Sequence, residues 1–341
     1  MTAPRVVIGL SAVIVAATEE NPLVVVTRGG AHAGLPFGPF DPAGDRTLEL
    51  SLRRWVSEQT GFDIGYVEQL YTFGDRGREA PLDDLDIAPA TAAPHRVMSI
   101  GYLALTPSRA ALEADRALWR SWYDFFPWED WRAGRPRAVD AEIAPRLMAW
   151  ADAGETPADC EARRTRARLA FALQGAAWNE ERALDRYELL YEAGLVPEAA
   201  RDRARFSRRP EAPQSALPAI FGEPMLSDHR RILATAVSRL RAKIKYRPII
   251  FELAPPAFTL LHLQRIVEAI AGLSLHKQNF RRLLSRTGLV EPAGAYDATA
   301  GGRPAEIYRP NLATLAARPT MGVHVPAPRG DDPRRAAGRR T

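Results

Sequence analysis

A chain of 341 residues, 46% hydrophobic and 26% charged, has room for two domains or three small ones and the composition of an ordinary globular protein. No apolar run approaches the roughly 20 residues that span a bilayer, so no membrane partner is expected. A single cysteine, Cys160, excludes an intrachain disulfide framework and fits a reducing cytoplasm.

The net charge of +5 hides an asymmetry. Residues 1–240 hold 29 Lys+Arg against 34 Asp+Glu (−5), residues 241–310 hold 11 against 5 (+6), and residues 311–341 hold 6 against 2 (+4). A mildly acidic body therefore carries a basic C-terminal third. That is the footprint of a segment that approaches phosphate, although a solvated basic surface gives the same sum. The six histidines lack ligand spacing and Cys160 has no cysteine partner, so no metal site is expected.

In chain order, "RVVIGLSAVIVAA" and "LVVVT" read as buried strands. The alternative for the first, a secretory signal, conflicts with Gly9, Ser11 and the single leading charge of Arg5. The stretch "SLRRWVSEQTGF" ends a helix of about residues 46–60, with Leu48, Leu52 and Val56 on one stripe and Gly61 as its stop. "VMSIGYLALT" is a further strand, so residues 5–105 read as a small α+β domain.

Residues 107–226 change character. "RALWRSWYDFFPWEDWRAGRP" is aromatic-rich, and Trp119, Trp122, Trp128 and Trp131 are expected to build a core there. Asp124, Glu129 and Asp130 cluster among them without a His or Lys neighbour or a motif. Helical patterns follow, the last of them stopped by Gly194 before Pro197, and "RDRARFSRRPEAPQSALP" reads as a loop. The tail from Pro319 has little to bury and is expected to be disordered.

The most informative region follows residue 243. "FTLLHLQRIVEAIAG" reads as a helix capped by Thr259 and stopped near Gly272, with Leu260, Leu263, Ile266, Val267 and Ile270 as its apolar stripe. A second helix, 275–287, turns Leu275, Phe280, Leu283 and Leu284 inward and leaves Lys277, Gln278, Arg281, Arg282 and Arg286 on other faces. "LVEPAGAYDATAGGRPAEIYRP" then reads as a hairpin with Arg303 at its tip. Two helices joined by a short turn, the second rich in Arg and amide side chains, followed by a hairpin, is a winged helix-turn-helix arrangement. The chemistry suits DNA: Arg and Lys neutralise phosphates, while Arg, Asn and Gln can read base edges.

These residues resemble a family. "FTLLHLQ", "HKQNFRRLL", "GLVEP" and "GGRPAEIYR", together with "LPFGPF", "LYTFGD" and "RVMSIGYLALT", are similar to motifs of the Nudix-related transcriptional regulators. The resemblance covers roughly residues 1–105 and 227–310. It implies an α+β fold: a Nudix-like αβα sandwich (1–105 plus 227–243) followed by a winged-helix domain (244–317). Residues 107–226 have no counterpart in the resemblance and read as a helical insertion, and residues 318–341 read as a disordered basic tail. The resemblance further implies a repressor of NAD-metabolism genes, acting as a homodimer on double-stranded operator DNA. The implied effector is ADP-ribose or a related nucleotide, with no bound cofactor. The DNA-binding residues it points to are Thr259, Gln264, Lys277, Gln278, Asn279, Arg281, Arg282, Arg286, Gly302 and Arg303. By analogy with a Nudix pocket, Arg28, Phe37, Arg54, Glu58 and Phe73 are candidate ligand contacts, although phenylalanines such as Phe37 and Phe73 are more often core than ligand platform and Arg54 with Glu58 fits a simple helix pair.

Whether the Nudix domain is an enzyme turns on its metal helix. Anchored on Gly61, the family's box places Arg54 on its arginine, but its three glutamates fall at Trp55, Glu58 and Gln59, and a fourth falls at Arg46. Positions 55, 58 and 59 share one helical arc, where an enzyme focuses carboxylates on Mg²⁺. Here that arc carries an indole, one carboxylate and an amide, so no hydrolase activity and no metal are expected. The alternatives are an active Nudix pyrophosphohydrolase with an appended domain and a regulator that senses a sugar-derived metabolite.

Overall fold

The computed structural model describes residues 5–28, 32–78, 95–107, 112, 116–207, 217–298 and 304–317. The N-terminal part is a mixed sheet of β1 (Arg5–Ala17), β2 (Pro22–Thr27), β3 (Phe37–Pro39), β4 (Tyr66–Phe73), β5 (His95–Leu105) and β6 (Ala117–Ser121), with helix α1 (Leu48–Thr60) between β3 and β4. The strands run in the order β4-β5-β1-β2-β6, with β3 paired to β1 off this path, and β1 pairs in parallel with β5 along 11 residues.

β1 lies inside the sheet and is covered on both faces, which explains its near-continuous apolar sequence. Period-two alternation sorts its side chains. Leu10, Ala12 and Ile14 pack with Leu52 and Val56 of α1, whereas Val13 and Val15 pack with Ile232, Leu233 and Val237 on the opposite face. The second group belongs to α6 (His229–Tyr246), whose central residues are buried along most of its length. Sheet, α1 and α6 form an αβα sandwich.

Between β6 and α6 the chain builds helices α2 (Ala144–Asp152), α3 (Pro157–Ala170), α4 (Ala183–Glu192) and α5 (Pro197–Ser207). This is the helical insertion, with two corrections. Ala117–Ser121 pairs with β2 as an edge strand of the sandwich, so the insertion begins after residue 121 and not at 107. The stretch expected to be a loop from Arg201 is helical to Ser207, because α5 buries Ala199 and Asp202 against its neighbours. Trp122 and Trp128 are buried core residues, and Trp131 packs against the same core.

The insertion and the sandwich share buried ion pairs. Glu129 receives two hydrogen bonds from Arg186 (2.5 and 2.8 Å) and is also bound by Arg241 of α6; all three are buried. Burial pushes the Glu129 carboxyl up, but the two guanidiniums outweigh it and hold the group below its ordinary value. Arg230 of α6 is buried likewise, 3.3 Å from Glu198 of α5.

The last described part contains β7 (Phe258–Thr259), α7 (Leu260–Ala271), α8 (Lys277–Thr287), β8 (Val290–Asp297), β9 (Ala305–Pro310) and α9 (Leu312–Ala317). Its three strands form a separate sheet in the order β7-β9-β8. The expected basic tail, 318–341, lies outside the described residues.

Candidate nucleic-acid interface and sensor face

Helix α7 starts at Thr259, whose hydroxyl accepts from the His262 N–H at 3.1 Å, and it ends at Gly272. Thr259 is thus committed to capping the helix, with its side chain half-buried. The turn into α8 is built by two α7 residues one helical turn apart. Gln264 donates to Glu268 (2.9 Å) and to the Leu275 carbonyl (3.0 Å), and Glu268 accepts from the Leu275 N–H (2.8 Å). Gln264 is 6% exposed, so its expected role as a DNA contact is replaced by a structural one. The i, i+4 spacing to a glutamate on the buried stripe was the signal for this.

Helix α8 is strongly two-sided. Phe280 and Leu284 are buried, whereas Lys277, Gln278, Asn279, Arg281, Arg282 and Arg286 are all exposed. The helix contains four cations and no acid. Among the described residues, none of these four cations forms an ion pair with a carboxylate, although arginines pair with carboxylates repeatedly elsewhere in the chain. The exposed face therefore combines uncompensated positive charge with amide groups able to donate and accept at base edges. The antiparallel pair β8–β9 follows α8; the residues between them, 299–303, and with them the predicted contacts Gly302 and Arg303, lie outside the described residues. Arg309 of the hairpin is paired with Glu291 at 2.8 Å and is not available in the same way.

The placement of α8 relative to the sandwich depends on the C-terminal end of α7. Three carbonyls there are taken by groups from outside the winged helix: Ala269 by the Tyr123 hydroxyl (2.7 Å), Ile270 by Arg241 Nε (2.9 Å) and Gly272 by the Trp131 N–H (2.8 Å). Gly272 has a left-handed backbone (φ 68°), and a Cβ there would collide with the Glu129 carbonyl. Ser274 adds a hydrogen bond to the Arg132 carbonyl (2.7 Å). The insertion thus grips the turn that carries the candidate reader, an arrangement that sequence reasoning missed. Apart from Arg241, 29 residues from Ile270, the partners lie more than 100 residues apart, and no local pattern joins them.

On the sandwich, two side chains of α1 bind the backbone of β3. Trp55 donates from its indole N–H to the Pro39 carbonyl (2.8 Å), and its ring lies so close to Gly38 that any Cβ there would overlap it. Gln59 accepts from the Phe37 N–H (3.0 Å) and donates to the Phe37 carbonyl (2.6 Å). Two positions where carboxylates would bind Mg²⁺ instead fasten α1 to β3. No group of three metal-ligating side chains occurs among the described residues.

The predicted ligand contacts divide. Arg54 and Glu58 are exposed on α1 and 3.8 Å apart, and Arg54 also pairs with Asp45 at 3.0 Å. Arg28 is exposed just beyond β2. Phe37 is half-buried, with its ring edge-on to His229 at 4.8 Å. Phe73 does not join them. It is 4% exposed in the α6-side core, on the other face of the sheet from α1, so it is a packing residue and not a stacking platform. A register shift between Gln69 and Thr72 decides which way Phe73 faces.

Residues 250–309 match the family model described as the NrtR DNA-binding winged helix domain. Over 82 residues, the chain is 43% identical to the "ADPR responsive transcriptional repressor NtrR" of Acinetobacter baylyi; the match covers 24% of this chain and about a third (32%) of that protein. Among solved structures, Shewanella oneidensis NrtR in complex with a 27mer DNA aligns with a TM-score of 0.52 at 17% identity, covering 94% of this chain and 99% of that one. A second crystal structure of Shewanella oneidensis NrtR aligns with a TM-score of 0.50 at 17% identity, covering 93% of this chain and 99% of that one. At that identity the likeness establishes the fold: a Nudix-like αβα sandwich followed by a winged helix.

Proposed function

We propose that this chain, whose C-terminal domain is a winged helix of the NrtR DNA-binding type, is a ligand-responsive transcriptional repressor. In this reading α8 enters the major groove of operator DNA, Lys277, Arg281, Arg282 and Arg286 neutralise phosphates or grip guanine, and Gln278 and Asn279 supply base-edge contacts. The observation that carries it is the exposed, acid-free face of α8. The sandwich acts as the sensor for ADP-ribose or a related nucleotide, with Arg54, Glu58, Phe37 and Arg28 at its effector face. Two features of relatives support this: the Acinetobacter protein is named an ADPR-responsive repressor, and the Shewanella protein was crystallised with DNA. A homodimer would place two α8 helices on half-sites about 34 Å apart. Genes of NAD metabolism are the proposed targets. The sandwich is not a hydrolase in this reading, because Trp55 and Gln59 hold β3 where an enzyme would hold Mg²⁺.

The test is fluorescence anisotropy with the DNA upstream of the protein's own operon. The expected result is salt-dependent binding, tighter than to scrambled DNA, whose affinity ADP-ribose shifts by about fivefold or more. Equal affinity for both DNAs would overturn the reading. Mg²⁺-dependent cleavage of ADP-ribose that Glu58→Gln abolishes would favour the hydrolase instead.

A further inference from the structure

The insertion contains a cleft of about 780 Å³ between the stretch 131–148 and the loop 172–178. That volume lies within the range of small-molecule sites. Its walls include Trp131 and Trp178, stacked with ring centroids 4.0 Å apart and planes at 23°, together with Met148 and Leu173.

Two unusual features meet at this cleft. Ala172 (φ 51°) and Gln174 (φ 53°) have left-handed backbones, which elsewhere among the described non-glycine residues only Ser227 adopts. Asp140 belongs to a π-helical turn, Val139–Ile143, preceding α2. Sparsely populated backbone and π-helical turns concentrate at binding sites, because their cost persists only where the surrounding structure holds them.

Charge narrows the ligand. Arg135 is bidentate to Asp140 (2.8 Å twice), and its remaining nitrogen donates to the Phe171 and Ala172 carbonyls (3.2 and 3.1 Å). The lining is therefore neutral overall, and its one arginine is committed, so it offers a phosphate no free cation. Trp131 and Trp178 cover one face of each other and the Arg186 guanidinium lies 3.9 Å from the Trp178 ring, so the indole edges, with Met148 and Leu173, are the apolar walls offered to a flat ring, while the Gln174 amide and the loop backbone can meet its hydrogen-bonding edges. Trp131 also donates its backbone N–H to Gly272, at the turn that precedes α8.

We infer that this cleft is a second small-molecule site, for an uncharged heteroaromatic compound of nucleobase or nucleoside size, and that its occupancy is transmitted through Trp131 to the α7–α8 turn. The second half rests on α8 being the DNA reader; the first does not.

The test uses the full chain with adenosine as the probe and 5′-AMP as its charged counterpart. Binding is followed by saturation-transfer NMR and tryptophan fluorescence. The expected result is saturable adenosine binding with Kd below about 1 mM, no tighter for 5′-AMP. Ala177→Trp, which fills the mouth from an exposed position, weakens it about tenfold or more. Gln174→Gly, which removes the amide while relieving the left-handed backbone, also weakens it and covers the case in which the bulky variant fails to fold. In the operator assay, adenosine shifts the affinity of the unmodified chain about fivefold or more and leaves that of Ala177→Trp unmoved. Absence of saturable binding, clearly tighter 5′-AMP binding, or unchanged binding in folded variants would overturn the site. Binding without any change in operator affinity would overturn the transmission. A chain that binds adenosine but never its operator would overturn the DNA-reading function and leave the site standing.

Discussion

Arginine serves two opposite purposes in this molecule. In the insertion and along α6 it is an internal strut: Arg186 and Arg241 share Glu129, and Arg230 reaches Glu198, all buried. On α8 Arg281, Arg282 and Arg286 are exposed, and no carboxylate pairs with them among the described residues. Burial makes a partner compulsory, since an uncompensated charge away from water is costly. Exposure lets water solvate the guanidinium until a phosphate replaces it. Arginine count is therefore a weak guide to where nucleic acid binds. The carboxylates within reach decide.

The largest expected effect lies on the strut side. Glu129→Gln leaves two buried guanidiniums without a countercharge and should cost about 3–5 kcal/mol in urea denaturation. A loss below about 1 kcal/mol would mean the cluster is not holding insertion and sandwich together.

A second contrast concerns His229, which is buried and neutral: its Nδ1 accepts from the Leu35 N–H at 3.0 Å, and burial pulls its pKa down from 6.5 to about 3. Between those values the unfolded chain binds a proton that the folded chain refuses. Stability from this group is therefore complete above pH 6.5 and falls as the pH drops, by about 2 kcal/mol at pH 5. His229→Asn keeps an acceptor for Leu35, and denaturation curves at pH 7 and 5 should show this part of the pH dependence gone.

A smaller effect is expected at α1 of the sandwich. Gln59→Glu restores a carboxylate to the metal arc but loses the donor to the Phe37 carbonyl, and should cost about 1–2 kcal/mol. Calorimetry should detect no Mg²⁺ binding in that variant. Recovered Mg²⁺-dependent hydrolysis would contradict the reading that α1 has been refitted to hold β3.

Much of the reader was legible in the sequence because its signals are local. The Thr259 cap, the Gly272 stop, the two-sided pattern of α8 and the hairpin all lie between residues 259 and 310. The sandwich was legible where strands are buried on both faces, as in β1. β6 was hidden because "ALWRS" sits in an aromatic stretch whose pairing partner, β2, lies some 90 residues earlier. Phe73 was misplaced because a register shift in β4 breaks the alternation that assigns its face. Glu129 looked like one acid in a loose cluster, and only the fold brings Arg186 and Arg241, 57 and 112 residues away, onto its oxygens.

The most direct test compares Arg281→Ala/Arg282→Ala with the unmodified chain in two measurements on one preparation: urea stability, and operator affinity across a salt series. Because neither side chain is a strut, stability should change by no more than about 0.5 kcal/mol. Operator affinity should fall, and the slope of log affinity against log salt should shrink by about 0.9 for each phosphate contact removed. Unchanged operator affinity and salt slope in a fully folded double variant would contradict the assignment of α8 as the DNA reader.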